Sequence, residues 1–249
     1  MRIHRLPAYV SEPLFLFRDD KPLKAHPAYR AAKAGDARSA VDLVEGLAGP
    51  LITQTAKQFG PNAIYVAPHA QEATGDNAIP QVLVEAIADL AGGQADRDIV
   101  QTSRVFHTGA DPMERLNNRA EFDGDVRPGD RYVLVDDVAT MGGTLAELSH
   151  YIQAMGGLVA GVAVLVNAAR AGRLIQNSLR NSKGGMAMQS EKTSESNPPP
   201  SPPRKPATSS DSARLTKSEI EALRQSKKRI GAYAHEALRE WVEELREKG

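Results

Sequence analysis

The chain has 249 residues, of which 41% are apolar and 25% charged, and its formal net charge at pH 7 is zero. This composition fits one sizeable α/β core with an appendage, and the charge balance gives no reason to expect nucleic acid as a partner. The absence of cysteine excludes disulfides and thiolate chemistry, and no apolar run approaches the roughly 20 residues of a membrane span. We therefore expect a soluble, cytoplasmic protein without a secretory signal or a membrane partner.

Strand-like and helix-like segments alternate through the middle of the chain. Apolar runs predict strands at 63–68, 98–105, 131–137 and 158–166, and helical spacing predicts helices at 79–92 and 142–157. Strands separated by helices imply parallel connections and a sheet covered on both faces, so the fold class is α/β. The ligand site of such a sheet is expected at the carboxyl ends of its strands.

The composition changes after residue 176. Residues 177–212 are rich in Ser, Pro, Lys and Gly, which predicts a disordered linker. Residues 213–249 then carry apolar side chains at helical spacing behind a capping-box pattern at Thr216 and Glu219. The pattern predicts an amphipathic helical tail, broken near Gly231. The tail is either a module that binds a protein partner or a solvated helix with at most modest self-association.

The stretch RYVLVDDVATMGGTL, residues 131–145, is the most informative in the chain. It places Asp136 and Asp137 at the carboxyl end of a predicted strand, and a loop over 139–144 leads into a helix that starts near Gly143. Small residues let backbone N–H groups approach an anion, and the helix adds its positive end, so the loop suits a phosphate monoester. The carboxylates can accept hydrogen bonds from hydroxyls. A phosphorylated ribose presents both groups.

Within that stretch, VLVDDVATMGGT resembles the ribose-phosphate signature of the type I phosphoribosyltransferases. The resemblance covers about residues 6–173 and implies a phosphoribosyltransferase domain over 1–176, with a Rossmann-like, mostly parallel sheet flanked by helices. It implies a Mg²⁺-dependent transfer of ribose 5-phosphate between phosphoribosyl pyrophosphate and a purine- or pyrimidine-like base, and it is compatible with a homodimer. The basic segment ahead of the signature is also similar to the subgroup related to competence protein F.

The resemblance implies a role for each matching residue. Asp136 and Asp137 would be catalytic, holding the ribose hydroxyls, favouring positive charge on the ring and contacting Mg²⁺ mostly through water and those hydroxyls. The loop for the 5′-phosphate would consist of Ala139, Thr140, Met141, Gly142, Gly143 and Thr144. The loop for pyrophosphate would contain Pro68, His69 and Ala70. A mobile loop over 103–124 would supply Arg104 and His107 for substrate binding and Arg115 and Arg119 for stabilising the departing pyrophosphate.

Departures from the family pattern keep alternatives open. Met141 stands where many members have Thr, and Thr140 stands where enzymes for 6-oxopurines usually have Asp, which argues against hypoxanthine or guanine as the base. The segment over 26–49 would cover the base, but it contains no base-reading motif. A non-catalytic protein that senses phosphoribosyl pyrophosphate or a nucleotide is the alternative function. His69 could also be a turn residue that touches only solvent.

Overall fold

The computed structural model describes residues 7, 12–72, 75–103, 120–140, 142–168 and 214–248. Five strands form the main sheet: β1 (Leu14–Phe17), β2 (Ala63–Val66), β3 (Gln94–Ala95), β6 (Arg131–Ala139) and β7 (Leu158–Asn167). Their order in the sheet is β1-β7-β6-β2-β3, and every neighbouring pair is parallel. A separate antiparallel pair joins β4 (Val100–Gln101) to β5 (Phe122–Asp123). The predicted mostly parallel α/β sheet is confirmed.

Helices cover both faces of the sheet. They are α1 (Lys21–Ala25), α2 (Tyr29–Lys33), α3 (Ala37–Leu47), α4 (Gly49–Phe59), α5 (Ile79–Ala91), α6 (Gly143–Ala154), α7 (Lys217–Ala237) and α8 (Arg239–Lys248). Alternation along β6 divides the core in two: Val133 and Val135 pack with α3, α4 and α5, whereas Tyr132 and Leu134 pack with α6. Both predicted central helices are confirmed, and α5 ends where Gly92 adopts a left-handed conformation with φ of 69°.

The strand predicted over 98–105 is wrong in its place, and within its described residues 98–103 only Val100–Gln101 form a strand. The main sheet ends at β3, and the chain then turns at Asp96, whose Oδ1 accepts hydrogen bonds from the backbone N–H groups of Asp98 (3.3 Å) and Ile99 (3.0 Å). An Asp side chain that bonds to the backbone ahead of it stabilises a turn in place of a strand. Of the apolar residues of the predicted strand, Val100 therefore lies in β4, outside the main sheet, and Ile99 lies just before it.

The strand that carries the acidic pair is longer than predicted. β6 continues two residues beyond Asp137, and Val138 and Ala139 still pair with Val166 and Asn167 of β7. Ala139 therefore belongs to the strand, not to the loop. The two acids lie inside the hydrogen-bonded ladder near its carboxyl end, where the neighbouring strand limits their motion.

The tail consists of two helices, so the single helix broken near Gly231 is a wrong prediction. α7 continues through Gly231, and the change of helix occurs at Leu238. A Cβ at Gly231 would overlap the Oε1 atom of Glu85 and lie 2.9 Å from Nε of Arg97. The glycine is thus needed for close packing and does not end the helix.

The tail also packs against the core, which contradicts the prediction of a solvated helix. Ile230, Ala234, Leu238 and Val242 are buried in the same apolar cluster as α5. The predicted capping box is confirmed at Thr216, whose backbone N–H donates to the Glu219 carboxylate at 2.8 Å. The predicted linker over 177–212 lies entirely outside the described residues.

Candidate functional site

The paired acids of β6 are held by the backbone that follows them. Asp136 Oδ1 accepts from the Asp137 N–H, and Asp137 Oδ1 accepts from the Val138 N–H, both at 2.9 Å. Asp137 is only 3% exposed. Burial, and then the adjacent charge of Asp137, raise the pKa of Asp136 well above its usual range. The pair is therefore short of hydrogen-bond donors and positive charge, and ligand hydroxyls or a cation would supply them.

Lys33 and Asn77 provide part of that compensation. Asp137 Oδ2 lies 3.5 Å from Nζ of Lys33, at the end of α2, and accepts from the Asn77 side-chain amide at 3.2 Å. Lys33 also lies 3.4 Å from Glu72. Burial alone would lower the pKa of Lys33, but the charges of Asp137, Glu72 and Asp136 together raise it. Lys33 is thus a cation fixed beside the acids, and a site residue that sequence reasoning missed.

The predicted phosphate loop leads into the N-terminus of α6. Gly142 precedes the helix in a left-handed conformation with φ of 69°, and no side-chain hydrogen bond caps the helix among the described residues. A Cβ at Gly143 would meet no atom of the described residues within 4 Å, so no described residue packs over the first turn at this position. Thr140 is exposed and Thr144 half-buried, whereas Met141 lies outside the described residues. The first N–H groups of α6 are therefore placed to bind an anion.

The loop that follows β2 holds the His69 side chain inside the protein. His69 is 2% exposed, so the alternative of a turn residue in solvent is wrong. Its Nε2 has no hydrogen-bond partner among the described residues. Burial, and then the charge of Lys227, lower the pKa of His69 to about 3. The imidazole is therefore neutral at pH 7 and supplies no positive charge for anion binding.

Lys227 of α7 reaches this same loop. Its side chain is fully buried, and Nζ donates to the carbonyls of Ala67 (3.2 Å) and Ile99 (2.7 Å) and to Oδ1 of Asp96 (2.8 Å). Sequence reasoning missed this contact, although a signal existed. Lys227 interrupts the apolar stripe of the tail between Leu223 and Ile230, where a solvated charge would not be expected.

Pro68 and Ala70, on either side of His69, are partly buried, and the four other predicted site residues belong to the segment after β4. Arg104, His107, Arg115 and Arg119 lie outside the described residues. The two ends of their segment are close together, since the Glu121 N–H donates to Ser103 Oγ at 3.2 Å. The segment therefore begins and ends at the β4–β5 pair.

The acidic pair fits Mg²⁺ only as part of a wider set of ligands. In the part of the chain that the structure describes, no group of three or more His, Cys, Asp or Glu residues could enclose a metal ion. Mg²⁺ is commonly bound through one or two carboxylates together with waters and substrate phosphates, so two adjacent carboxylates suit it.

None of the helices in the described part of the chain has both the length and the apolar character of a membrane span.

Comparisons with known proteins give partial matches. No family model matches the chain. It is 41% identical to Protein TraN of Escherichia coli over 145 residues, 57% of this chain and 32% of that protein. It is 38% identical to an uncharacterized protein of Haemophilus influenzae over 131 residues, 51% of this chain and 29% of that protein. The chain thus spans just under a third of the length of these two curated relatives.

Other matches carry enzyme names. An orotate phosphoribosyltransferase of Thermococcus gammatolerans is 38% identical over 48 residues, 19% of this chain and 25% of that protein. Among solved structures, an adenine phosphoribosyltransferase from Rhodothermus marinus is 18% identical, with a TM-score of 0.33 over 72% of this chain and 87% of that chain.

Proposed function

We propose that this chain binds phosphoribosyl pyrophosphate with Mg²⁺ and transfers its ribose 5-phosphate group to a nitrogenous base. One observation carries the proposal. Asp136 and Asp137 lie near the carboxyl end of the central strand, and the N-terminus of α6, which no described side chain caps, follows six residues after Asp137. Two carboxylates able to accept from ribose hydroxyls, followed by N–H groups able to donate to a phosphate, support the proposal. The short match to an orotate phosphoribosyltransferase supports the same function.

The chemistry requires no covalent intermediate with the protein. The bond between ribose C1 and the pyrophosphate oxygen breaks, and pyrophosphate departs with the bonding electron pair. A base nitrogen donates its lone pair to C1 from the opposite face, and a base that carried an N–H releases that proton to solvent. Positive charge that develops on the ring would lie near Asp136 and Asp137, whose carboxylates favour it.

Mg²⁺, when bound, would neutralise the charge of the pyrophosphate and hold the ribose hydroxyls. Asp136 and Asp137 would hold the ion mostly through water and those hydroxyls. Lys33, 3.5 Å from Asp137, supplies the local positive charge in the free protein. Ligand hydroxyls that donate to the Asp137 carboxylate would therefore either displace Lys33 from it or bind beside Lys33.

That same contact favours a second candidate function. A lysine that already neutralises Asp137 reduces the negative charge from which catalysis would benefit. A protein that senses phosphoribosyl pyrophosphate or a nucleotide needs binding but no turnover, so it would tolerate this arrangement. The likeness to proteins related to competence protein F, the cytoplasmic location and a homodimer stay predictions.

Calorimetry with phosphoribosyl pyrophosphate, with and without Mg²⁺, tests binding, and pyrophosphate release against a panel of bases tests turnover. We expect Mg²⁺-dependent binding and release with at least one base. No heat and no thermal stabilisation at millimolar ligand would overturn the proposal. Binding without release for any base would favour the sensor.

A double substitution tests the role of the acids. Asp136→Asn with Asp137→Asn keeps the size of both side chains but removes their charge, so turnover should fall by at least about a hundredfold. Asp130→Asn, just before the amino end of the same strand, is the matched control and should keep the parent rate. Turnover at the parent rate in the double variant would contradict the assigned role.

A further inference from the structure

The ammonium group of Lys227 has all three of its donors satisfied inside the protein. Two bonds go to backbone carbonyls and one to Asp96, and the side chain is fully buried. Burying a charge in this way is favourable only when its partners are fixed in place. Lys227 therefore orders the backbone to which it bonds.

That backbone belongs to two segments beside the candidate site. Ala67 is the first residue after β2 and opens the loop assigned to pyrophosphate, while Ile99 leads into β4. The two segments also bond to each other, since the Gln101 N–H donates to the His69 carbonyl at 2.8 Å. A single side chain of the tail thus links the loop after β2 to the strand that leads into the basic segment over 104–119.

Two other residues of the tail bond to residues in or next to β4 and β5. The Leu215 N–H donates to the Thr102 carbonyl at 2.8 Å. Arg224 lies 2.9 Å from the carboxylate of Asp98 and 2.7 Å from that of Asp123. These contacts fix both β4 and β5, the strands at which the segment over 104–119 begins and ends.

We propose that α7 supports the site for phosphoribosyl pyrophosphate and that Lys227 is a positioning residue for the pyrophosphate half of this ligand. The inference rests on the proposed function. Lys227 acts through the loop after β2 and not by direct contact with phosphoribosyl pyrophosphate. It holds the loop over 67–70 in the conformation that presents backbone N–H groups to pyrophosphate. Its three hydrogen bonds all go to residues outside the loop over 139–144, so the site for the 5′-phosphate does not depend on it.

This division of the site gives a test with two ligands. Phosphoribosyl pyrophosphate uses both loops, whereas ribose 5-phosphate lacks the pyrophosphate. In the full chain, Lys227→Met should weaken phosphoribosyl pyrophosphate binding in the presence of Mg²⁺ by roughly ten- to a hundredfold, because a displaced loop presents its donors poorly. Ribose 5-phosphate binding should change by less than about twofold, since its loop is independent. Lys228→Met, at an exposed neighbouring position, is the matched control and should leave both affinities unchanged.

A second variant keeps the test valid if Lys227→Met does not fold. Lys227→Met leaves Asp96 without its cation, so Lys227→Met with Asp96→Asn removes both charges together. Circular dichroism melts establish which variants are folded at the assay temperature, and isothermal calorimetry then gives both affinities. The double variant should show the same selective loss.

Several results would overturn the inference. A folded variant could bind phosphoribosyl pyrophosphate like the parent, or lose affinity for both ligands equally. Both variants could also fail to fold, which would make Lys227 a folding residue only. If the parent protein binds neither ligand, the proposed function fails and this inference fails with it. Parent binding to both ligands, without selective loss in the variants, overturns this inference alone.

Discussion

The buried imidazole of His69 should make the stability of the protein fall in mild acid. Burial, and then the charge of Lys227, lower its pKa from an ordinary 6.5 to about 3. The folded state therefore binds fewer protons at this residue than the unfolded state between those two values. The contribution of neutral His69 to the stability of the fold is fully present above pH 6.5 and is lost as the pH falls toward 3.

The size of the loss follows from the two pKa values. At pH 5 an unfolded histidine is almost fully protonated, whereas the folded one remains neutral. Proton linkage then lowers the free energy of unfolding by about 2 kcal/mol between pH 7 and pH 5 from this residue alone. Any folded-state pKa below about 4 gives nearly the same figure, because the unfolded state sets the response at pH 5.

Urea denaturation at pH 7 and pH 5 measures this loss. His69→Gln removes the titrating group and keeps a side chain of similar length, so its unfolding free energy should depend less on pH than that of the parent, by about 2 kcal/mol. His150→Gln, at a partly exposed position of α6, is the control. If His69→Gln shows the same difference between the two pH values as the parent, His69 is not a buried neutral histidine.

Two further substitutions test the packing of the tail and the charge beside the acids. Gly231→Ala should lower the free energy of unfolding by about 1–3 kcal/mol because its Cβ would overlap the Glu85–Arg97 ion pair. Helix propensity alone would raise the free energy of unfolding by about 1 kcal/mol. The sign of the change measured in urea therefore decides between the two effects. Lys33→Met should lower the free energy of unfolding by about 1–3 kcal/mol because it leaves the buried carboxylate of Asp137 without its cation. Lys33→Arg keeps a cation and should retain most of that free energy. Equal stability of the two variants would contradict the ion pair.

The β6–α6 unit could be predicted from the sequence because its signals are local. An apolar run of strand length, two acids and a glycine pair before a helical pattern all lie within residues 131–154. Each signal acts on neighbours in the chain, so no distant contact is needed to recognise the unit. Only the end of the strand was misplaced, because the pairing of Ala139 with Asn167 depends on β7.

The surroundings of the acids could not be predicted in the same way. Lys33 and Asp137 are 104 residues apart, and neither position carries a local feature that indicates the other. The turn at Asp96 replaced a predicted strand because one carboxylate bonds to the following backbone N–H groups. Periodicity describes the burial of apolar side chains, whereas these features depend on polar contacts made by individual side chains.

The buried pair of Lys227 and Asp96 also explains why α7 docks in one register. Apolar residues at helical spacing define the face that a helix buries, but they tolerate a shift along the groove because one aliphatic side chain can replace another. A shift of one turn would move Lys227 away from Asp96 and leave two charges buried without partners, which costs more than any apolar contact that the shift could restore. We therefore expect Lys227→Met with Asp96→Asn to retain or even gain stability relative to Lys227→Met. Equal melting temperatures for these two variants would show that the uncompensated carboxylate is tolerated, and the register would then have to be set by the apolar face and Gly231.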